Sequence, residues 1–178
     1  IHSRTDFDLK AHEEFSGKKL HYFDPQENKS YVPYVVETSI GLDRMFLAVF
    51  SNSLQEEALE NGTTRTVLKL PAVLAPYKAA ILPLVKKDGL PEVARQIMDD
   101  LKWDFNVFYD EKDAVGKRYR RQDAAGTPFC ITIDHDTLED NSVTIRHRDT
   151  MDQKRVAISD LKEIIKKEVA IKTWLQKM

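Results

Sequence analysis

The chain has a single cysteine in 178 residues, so no disulfide framework can form within it. That residue, Cys130, sits in an apolar run, and a reducing, cytoplasmic setting is the natural reading. Long hydrophobic stretches are also missing: no apolar run approaches transmembrane length, which points away from a membrane partner. The opening IHSRTDFDLK has no signal-peptide core, and without an initiator Met the chain reads as a fragment of something longer. Zinc signatures are absent, since His2, His12 and His21 match no ligand spacing and no cysteine accompanies them. No metal site is expected within these residues. Internal repeats and low-complexity tracts are lacking too.

Net charge is nearly absent, at −2 from 27 basic and 29 acidic residues, but it is unevenly spread. Residues 1–60 hold 6 Lys/Arg against 11 Asp/Glu, a net of −5, which leaves 21 against 18, a net of +3, for residues 61–178. An acidic first part and a mildly basic second part fit a chain whose second part meets a polyanion. The 42% hydrophobic and 31% charged content is that of a globular protein of one or two domains.

The chain is organised around Tyr31–Phe50. Tyr31, Val32, Tyr34, Val35 and Val36 read as a strand around Pro33, and Leu42, Met45, Phe46 and Val49 recur at helical spacing. Between them lies the turn Glu37-Thr38-Ser39-Ile40-Gly41-Leu42-Asp43-Arg44. A helix start and Arg44 suit an anionic phosphate, while Glu37 and Ser39 suit an ammonium group. On the residues alone, an ion pair between Glu37 and Arg44 across the turn fits equally well.

Upstream, Asp8–Phe15 has the spacing of a short helix, and Asp24–Lys29 is turn chemistry joining Leu20–Phe23 and Tyr31–Val36 as a hairpin. Residues 51–65, with Asn61-Gly62, read as the helix tail and a linker. A domain boundary is therefore placed between 1–62 and 63–178. Beyond it, Val67–Pro76 reads as an extended crossing segment. Strands are expected at Ala79–Val85, Phe105–Tyr109, Phe129–Ile133 and Val143–His147, with a turn-rich Asp134–Ser142. Helices are expected from Leu90 with Pro91 in the first turn, over Asp113–Ala125, and after Ser159 as a cap. This alternation predicts an α/β fold with a mixed sheet.

The charged constellation is Gly116-Lys117-Arg118-Tyr119-Arg120-Arg121-Gln122-Asp123. Val115 and Tyr119 would face inward and the basic residues would fan outward, with Arg118 and Gln122 bordering the buried face. On the expected neighbouring strand, Thr144, Arg146 and Arg148 share a face. The sharp reading is phosphate contact by arginine forks; the bland one is a solvated basic helix.

The form Glu-x-Ser-x-Gly-x-Asp-Arg resembles the third signature motif of class II aminoacyl-tRNA synthetases, in the version found in glycyl-tRNA synthetases of the homodimeric type. The likeness extends to Arg4-Thr5-Asp6-Phe7-Asp8-Leu9, His12, Ser16-Gly17-Lys18 and Tyr22-Phe23. It continues through Leu74-Ala75-Pro76, Ala79–Leu84, Gly116–Asp123, Gly126-Thr127-Pro128-Phe129-Cys130, Thr132, Asp134 and Thr144-Ile145-Arg146. Thr38 stands where proline is usual, Leu42 where alanine is, and Ala124-Ala125 replace a more acidic pair. The resemblance implies the end of an antiparallel catalytic sheet domain, followed by an anticodon-binding domain with a five-stranded mixed sheet and three helices.

It further implies a glycine–tRNA ligase that makes glycyl-adenylate from ATP and glycine and passes the glycyl group to tRNA(Gly). Glycine would meet Glu37, Thr38, Ser39, Ile40 and Gly41. ATP would meet Gly41, Leu42, Asp43 and Arg44, with Arg44 catalytic. The tRNA would meet Lys117, Arg118, Arg120, Arg121 and Arg146. A homodimer and Mg2+ are implied for the whole enzyme, with the metal ligands and the first two motifs upstream, so this piece alone is expected to be inactive. The rival readings are an accessory RNA-binding or assembly subunit built on the same domain, and a class II ligase for another amino acid.

Overall fold

The computed structural model describes residues 1–176, and the chain divides into two compact units, Ile1–Phe46 and residue 47 onward. The elements of the first part are β1 (His2–Thr5), α1 (Phe7–Ser16), β2 (Tyr22–Asp24), β3 (Lys29–Tyr31), β4 (Val35–Glu37) and α2 (Leu42–Ser53), the last running across the division. β2 and β3 form the expected hairpin, with Tyr22 opposite Tyr31. The strand expected over Tyr31–Val36 is interrupted. β3 ends at Tyr31 and β4 begins at Val35; Pro33 lies between them and cannot donate to a ladder. β4 pairs instead with β1, antiparallel, His2 opposite Glu37. No side chain among residues 1–46 is buried, and Tyr34, Val36, Ile40 and Leu42 lie largely in solvent.

The second part comprises β5 (Leu54–Ala58), β6 (Thr64–Leu68), a 3-10 turn (Ala72–Leu74), β7 (Ala79–Pro83), α3 (Leu90–Leu101), β8 (Val107–Tyr109), α4 (Val115–Ala125) and β9 (Phe129–Ile133). It continues with α5 (His135–Asp140), β10 (Ser142–His147), β11 (Gln153–Ala157), a second 3-10 turn (Ile158–Asp160), α6 (Leu161–Val169) and α7 (Ile171–Leu175). The linker expected at 51–65 is a hairpin. β5 and β6 pair antiparallel from Leu54–Leu68 to Ala58–Thr64, and Asn61-Gly62 forms its turn. Residue 62 therefore lies inside a paired element, and the division by compactness falls earlier, after Phe46.

The sheet is five-stranded and mixed, in the order β11-β10-β9-β7-β8. β7 runs parallel to β8 and β9, while β10 is antiparallel to β9 and β11. One face carries Ala79, Ile81, Phe129, Ile131, Ile133, Val143 and Ile145 against apolar residues of α3 and α6. On the other, Ala80, Leu82 and Cys130 pack with Phe108 and with Tyr119 of α4. The central strands β7 and β9 are thus covered on both sides, which is why every residue of each is buried and the only polar one, Thr132, has its hydroxyl bonded to that of Tyr119 at 2.6 Å. Asp134–Ser142, expected as a turn, contains α5, started by a reciprocal capping box between Asp134 and Thr137. α6 is preceded by the 3-10 turn and has no side-chain cap, so the cap expected from Ser159 does not form. Among the described residues, no helix is long and apolar enough to cross a membrane.

Candidate nucleic-acid interface

α4 begins after Ala114, whose backbone is extended, and stops at Gly126, which takes φ 79° and donates its N–H to the Asp123 carbonyl at 3.2 Å. Thr127 closes the turn onto the Gln122 carbonyl at 3.0 Å. The helix turns Arg118, Gln122 and Asp123 inward and leaves Lys117, Arg120 and Arg121 exposed.

Arg118 is not on the basic surface, correcting the expected role in RNA contact. It is 1% exposed, and its guanidinium donates to the carbonyls of Pro83 (2.7 Å), Asp110 (3.0 Å) and Leu84 (3.2 Å). It ties together the carboxyl ends of β7 and β8. Burial, opposed by nearby Asp110, holds its pKa below the ordinary arginine value.

Arg146 is likewise withdrawn. Arg146 on β10 and Arg148 just past its end are both buried and Thr144 is partly so, so the arginine face expected to meet phosphate is covered. Arg146 grips Asp123 with two nitrogens, at 2.7 and 3.1 Å, and lies over the Tyr119 ring at 4.9 Å. Asp123 is fully buried and also accepts from Arg65 at 3.1 Å and Arg120 at 3.3 Å. Arg65 spends its other donors on Glu57 and on the carbonyls of Arg148 (2.8 Å) and Asp149 (3.3 Å). Arg148 binds the carbonyls of Gly126 and Leu70, both at 2.8 Å, and the Asp149 carboxylate. These arginines fasten the β5–β6 hairpin to α4 and the sheet. Arg65 was not anticipated, because one arginine in a short strand leaves no periodic signal.

What remains at the surface is smaller than the sequence suggests. Arg121 is exposed yet held by Asp110 (2.7 Å) and Asp113 (2.9 Å). Arg120 has one nitrogen on Asp123 and the rest of its fork toward solvent, and Lys117 is exposed. An open groove runs between them and β6, lined by Thr64, Thr66, Arg120 and Arg121. Two threonine hydroxyls and two guanidinium groups thus share one edge, groups of the kind that pair with phosphate.

The other candidate lies in the first unit. β4 delivers Glu37 to the turn and α2 begins at Leu42, as expected. Arg4 donates to Asp8 at 3.0 and 2.8 Å and stands 3.4 Å from the Glu37 carboxylate. Glu37 thus pairs with Arg4 rather than across the turn with Arg44. Thr38, Ser39, Ile40, Gly41, Leu42, Asp43 and Arg44 are all exposed. The Gly41 carbonyl accepts the Met45 N–H at 3.1 Å, opening the helix, and the stem of Arg44 folds back to 4.0 Å from where a Cβ on Gly41 would stand. Among the described residues, no group of three or more His, Cys, Asp or Glu is placed to hold a metal ion.

A five-stranded mixed sheet with α3 and α6 on one face and α4 on the other defines an α/β sandwich module. Residues 78–168 match the anticodon binding domain family, and the chain belongs to it. Two solved structures share the fold. One is the RNA binding domain of threonyl-tRNA synthetase from Cryptosporidium parvum Iowa II (TM-score 0.51, 24% identity, 56% of this chain and 25% of that one). The other is prolyl-tRNA synthetase from Cryptosporidium parvum (TM-score 0.54, 18% identity, 68% of this chain and 32% of that one). In sequence the chain is similar to the glycine–tRNA ligases. It is 53% identical to that of Geobacillus thermodenitrificans over 96% of its own length, and 52% identical to that of Chlorobaculum tepidum over 93%. For the ligase of Borrelia hermsii the identity is 49% over 95%. The chain spans 35–38% of the length of these relatives.

Proposed function

We propose that the chain is part of a glycine–tRNA ligase. The anticodon-binding fold would hold tRNA(Gly), and the Glu37–Arg44 turn would form one wall of the site where glycine and ATP react. The observation that carries this is identity near one half to glycine–tRNA ligases along 93–96% of the chain. In the proposed reaction the glycine carboxylate attacks the α-phosphorus of ATP, and pyrophosphate leaves with the electron pair of the broken P–O bond. A hydroxyl of the 3′-terminal ribose of the tRNA then attacks the glycyl carbonyl carbon, and AMP leaves with the electron pair of the broken C–O bond.

This chemistry needs positioning and neutralised charge more than a covalent helper. Arg44 would bear on the phosphates beside the first turn of α2, where free backbone N–H groups favour anions. Glu37 would pair with the glycine ammonium. Its ion-pair partner is an Arg4 already bonded in bidentate fashion to Asp8, and its side chain is 49% exposed, so an ammonium can reach it. Ser39 would add a hydrogen bond, while Thr38, Ile40 and Gly41 would wall the amino acid and Leu42 and Asp43 would flank the nucleotide. Mg2+, a homodimer and a cytoplasmic setting belong to the same proposal for the whole enzyme. There the apolar residues that residues 1–46 leave in solvent would be covered.

On the RNA side, Lys117, Arg120 and Arg121 remain as contacts, whereas Arg118 and Arg146 act by holding the module in shape. The decisive measurement is glycine-dependent ATP–pyrophosphate exchange by the full-length enzyme. Glu37→Gln should cut glycine-dependent exchange by at least about tenfold, the cost of losing one charge-assisted hydrogen bond of about 1.5–3 kcal/mol. Exchange driven equally by another amino acid would overturn the reading. The 178-residue chain alone should bind tRNA yet give no exchange.

A further inference from the structure

In the first unit, the strand paired with β4 is irregular at one residue. His2 pairs with Glu37, Ser3 with Val36 and Thr5 with Val35, so Arg4 is the extra residue of a β-bulge. Bulges recur where a strand must aim a side chain. Thr5 beside it takes φ 52°, a left-handed backbone that a β-branched residue adopts only under strain. The chain keeps this costly conformation where it turns from β1 toward α1. We propose that Arg4 is the positioning residue for the amino-acid site, fixing which carboxylate oxygen of Glu37 meets the glycine ammonium. The inference rests on the glycine-site reading above and deepens it.

Three contacts immobilise the guanidinium. Nε and Nη2 donate to the two oxygens of Asp8 at 3.0 and 2.8 Å, in the fork geometry that arginine and carboxylate share. The third is the Phe7 ring, whose centroid lies 5.8 Å from Cζ. Phe7 and Asp8 both belong to the first turn of α1, so the clamp is built on a regular element. The Arg4 bond in turn holds the Asp8 carboxyl below the usual carboxylate range, and the anchor stays charged near neutral pH. From this clamp Nε stands 3.4 Å from Oε2 of Glu37. That contact is an ion pair, because the Nε proton is already spent on Asp8. Oε2 is drawn toward β1, and Oε1 is left to accept from an ammonium. Arg4 thereby orients Glu37 without saturating it. The same pull keeps Glu37 from Arg44, so the charge for the ammonium and the charge for the phosphates stay apart. A lysine could not replace it, since a point charge on a flexible stem lacks the fork that holds Asp8 while facing Glu37.

The test is a double-mutant cycle on the full-length enzyme, read by ATP–pyrophosphate exchange as the apparent KM for glycine and for ATP. Arg4→Ala should raise the glycine KM about tenfold, the size of coupling between neighbouring charged groups, and leave the ATP KM unchanged. Arg4→Lys should raise it as well, and it carries the cycle if Arg4→Ala loses its fold. Glu37→Gln should raise the glycine KM at least as far, and an Arg4 substitution added to Glu37→Gln should raise it no further. A role confined to tying β1 to α1 would instead move both KM values together, or multiply with the Glu37→Gln effect. Either of those results, or an unchanged glycine KM in the Arg4 variants, would overturn the positioning role and leave Glu37 as the glycine ligand. If Glu37→Gln itself leaves the glycine KM unchanged, the glycine-site reading is lost and the positioning role with it.

Discussion

Asp123 is the residue on which the second part of the chain depends most. Its carboxylate is fully buried and accepts from Arg65, Arg120 and Arg146. Removing one partner from a buried ionic group leaves the others uncompensated, at about 3–5 kcal/mol. Asp123→Asn should therefore destabilise the chain by roughly that amount in urea unfolding, far more than Lys117→Ala, which should fall within about 0.5 kcal/mol. Cys130 gives a second check. Burial pushes its thiol up to about 12, so at pH 8 it is a neutral thiol with 2% exposure. A thiol reagent at that pH should label it only at the rate of unfolding, measured by mass change against time. In the sequence these residues were half legible. The inward lean of Arg118 follows from its i,i+4 relation to Gln122, but four cations in five positions read more strongly as one charged face. Nothing local tells which arginine finds buried carbonyls, because Pro83 and Leu84 are over thirty positions away.

At the scale of elements, the two glycines bounding α4 separate steric need from mere tolerance. Gly126 sits at φ 79°, and a Cβ there would stand 3.1 Å from the Leu68 carbonyl oxygen. Gly116 lies in the first turn of α4 at ordinary helical φ with nothing within 4 Å. Gly126→Ala should destabilise by more than about 1 kcal/mol, from left-handed strain together with that contact. Gly116→Ala should stabilise by up to about 1 kcal/mol. Thermal unfolding of the two variants side by side decides both. The long elements were legible because their patterns are redundant: α3 has an apolar stripe, β7 is apolar throughout, and β9 is apolar but for Thr132. β11 was missed because Gln153–Ala157 is an edge strand with only Val156 partly buried, so charged side chains suffice along its exposed length. α5 hid in a polar stretch, since its start depends on a capping box rather than on apolar spacing. The β5–β6 hairpin looked like a linker because its outer residues are polar and its fastening, through Arg65, is distant in sequence.

For the whole molecule, the same ion pairs set a dependence on acid. The Lys69 and Arg65 bonds hold Glu57 below the usual carboxylate range, against the opposing effect of burial. Asp110, Asp134 and Asp149 are raised by burial, but arginine partners outweigh it and leave each below its ordinary value. A depressed folded-state pKa gives stability that is present above the unfolded value and lost as pH falls through the folded one. Urea midpoints should thus be steady near neutrality and fall below about pH 4, where unfolded carboxylates take up protons first. RNA binding belongs to the same scale, because it draws on the charges those pairs leave over. Lys117 faces solvent, so Lys117→Glu should weaken tRNA binding without a matching loss of stability. Each phosphate contact removed should lower the slope of log K against log salt by about 0.7–0.9. Lys117→Glu should therefore converge with the unaltered chain as salt rises. If the two binding curves instead stay parallel at every salt concentration, the exposed edge of α4 does not meet the phosphate backbone, and the RNA must dock on another face of the sheet module.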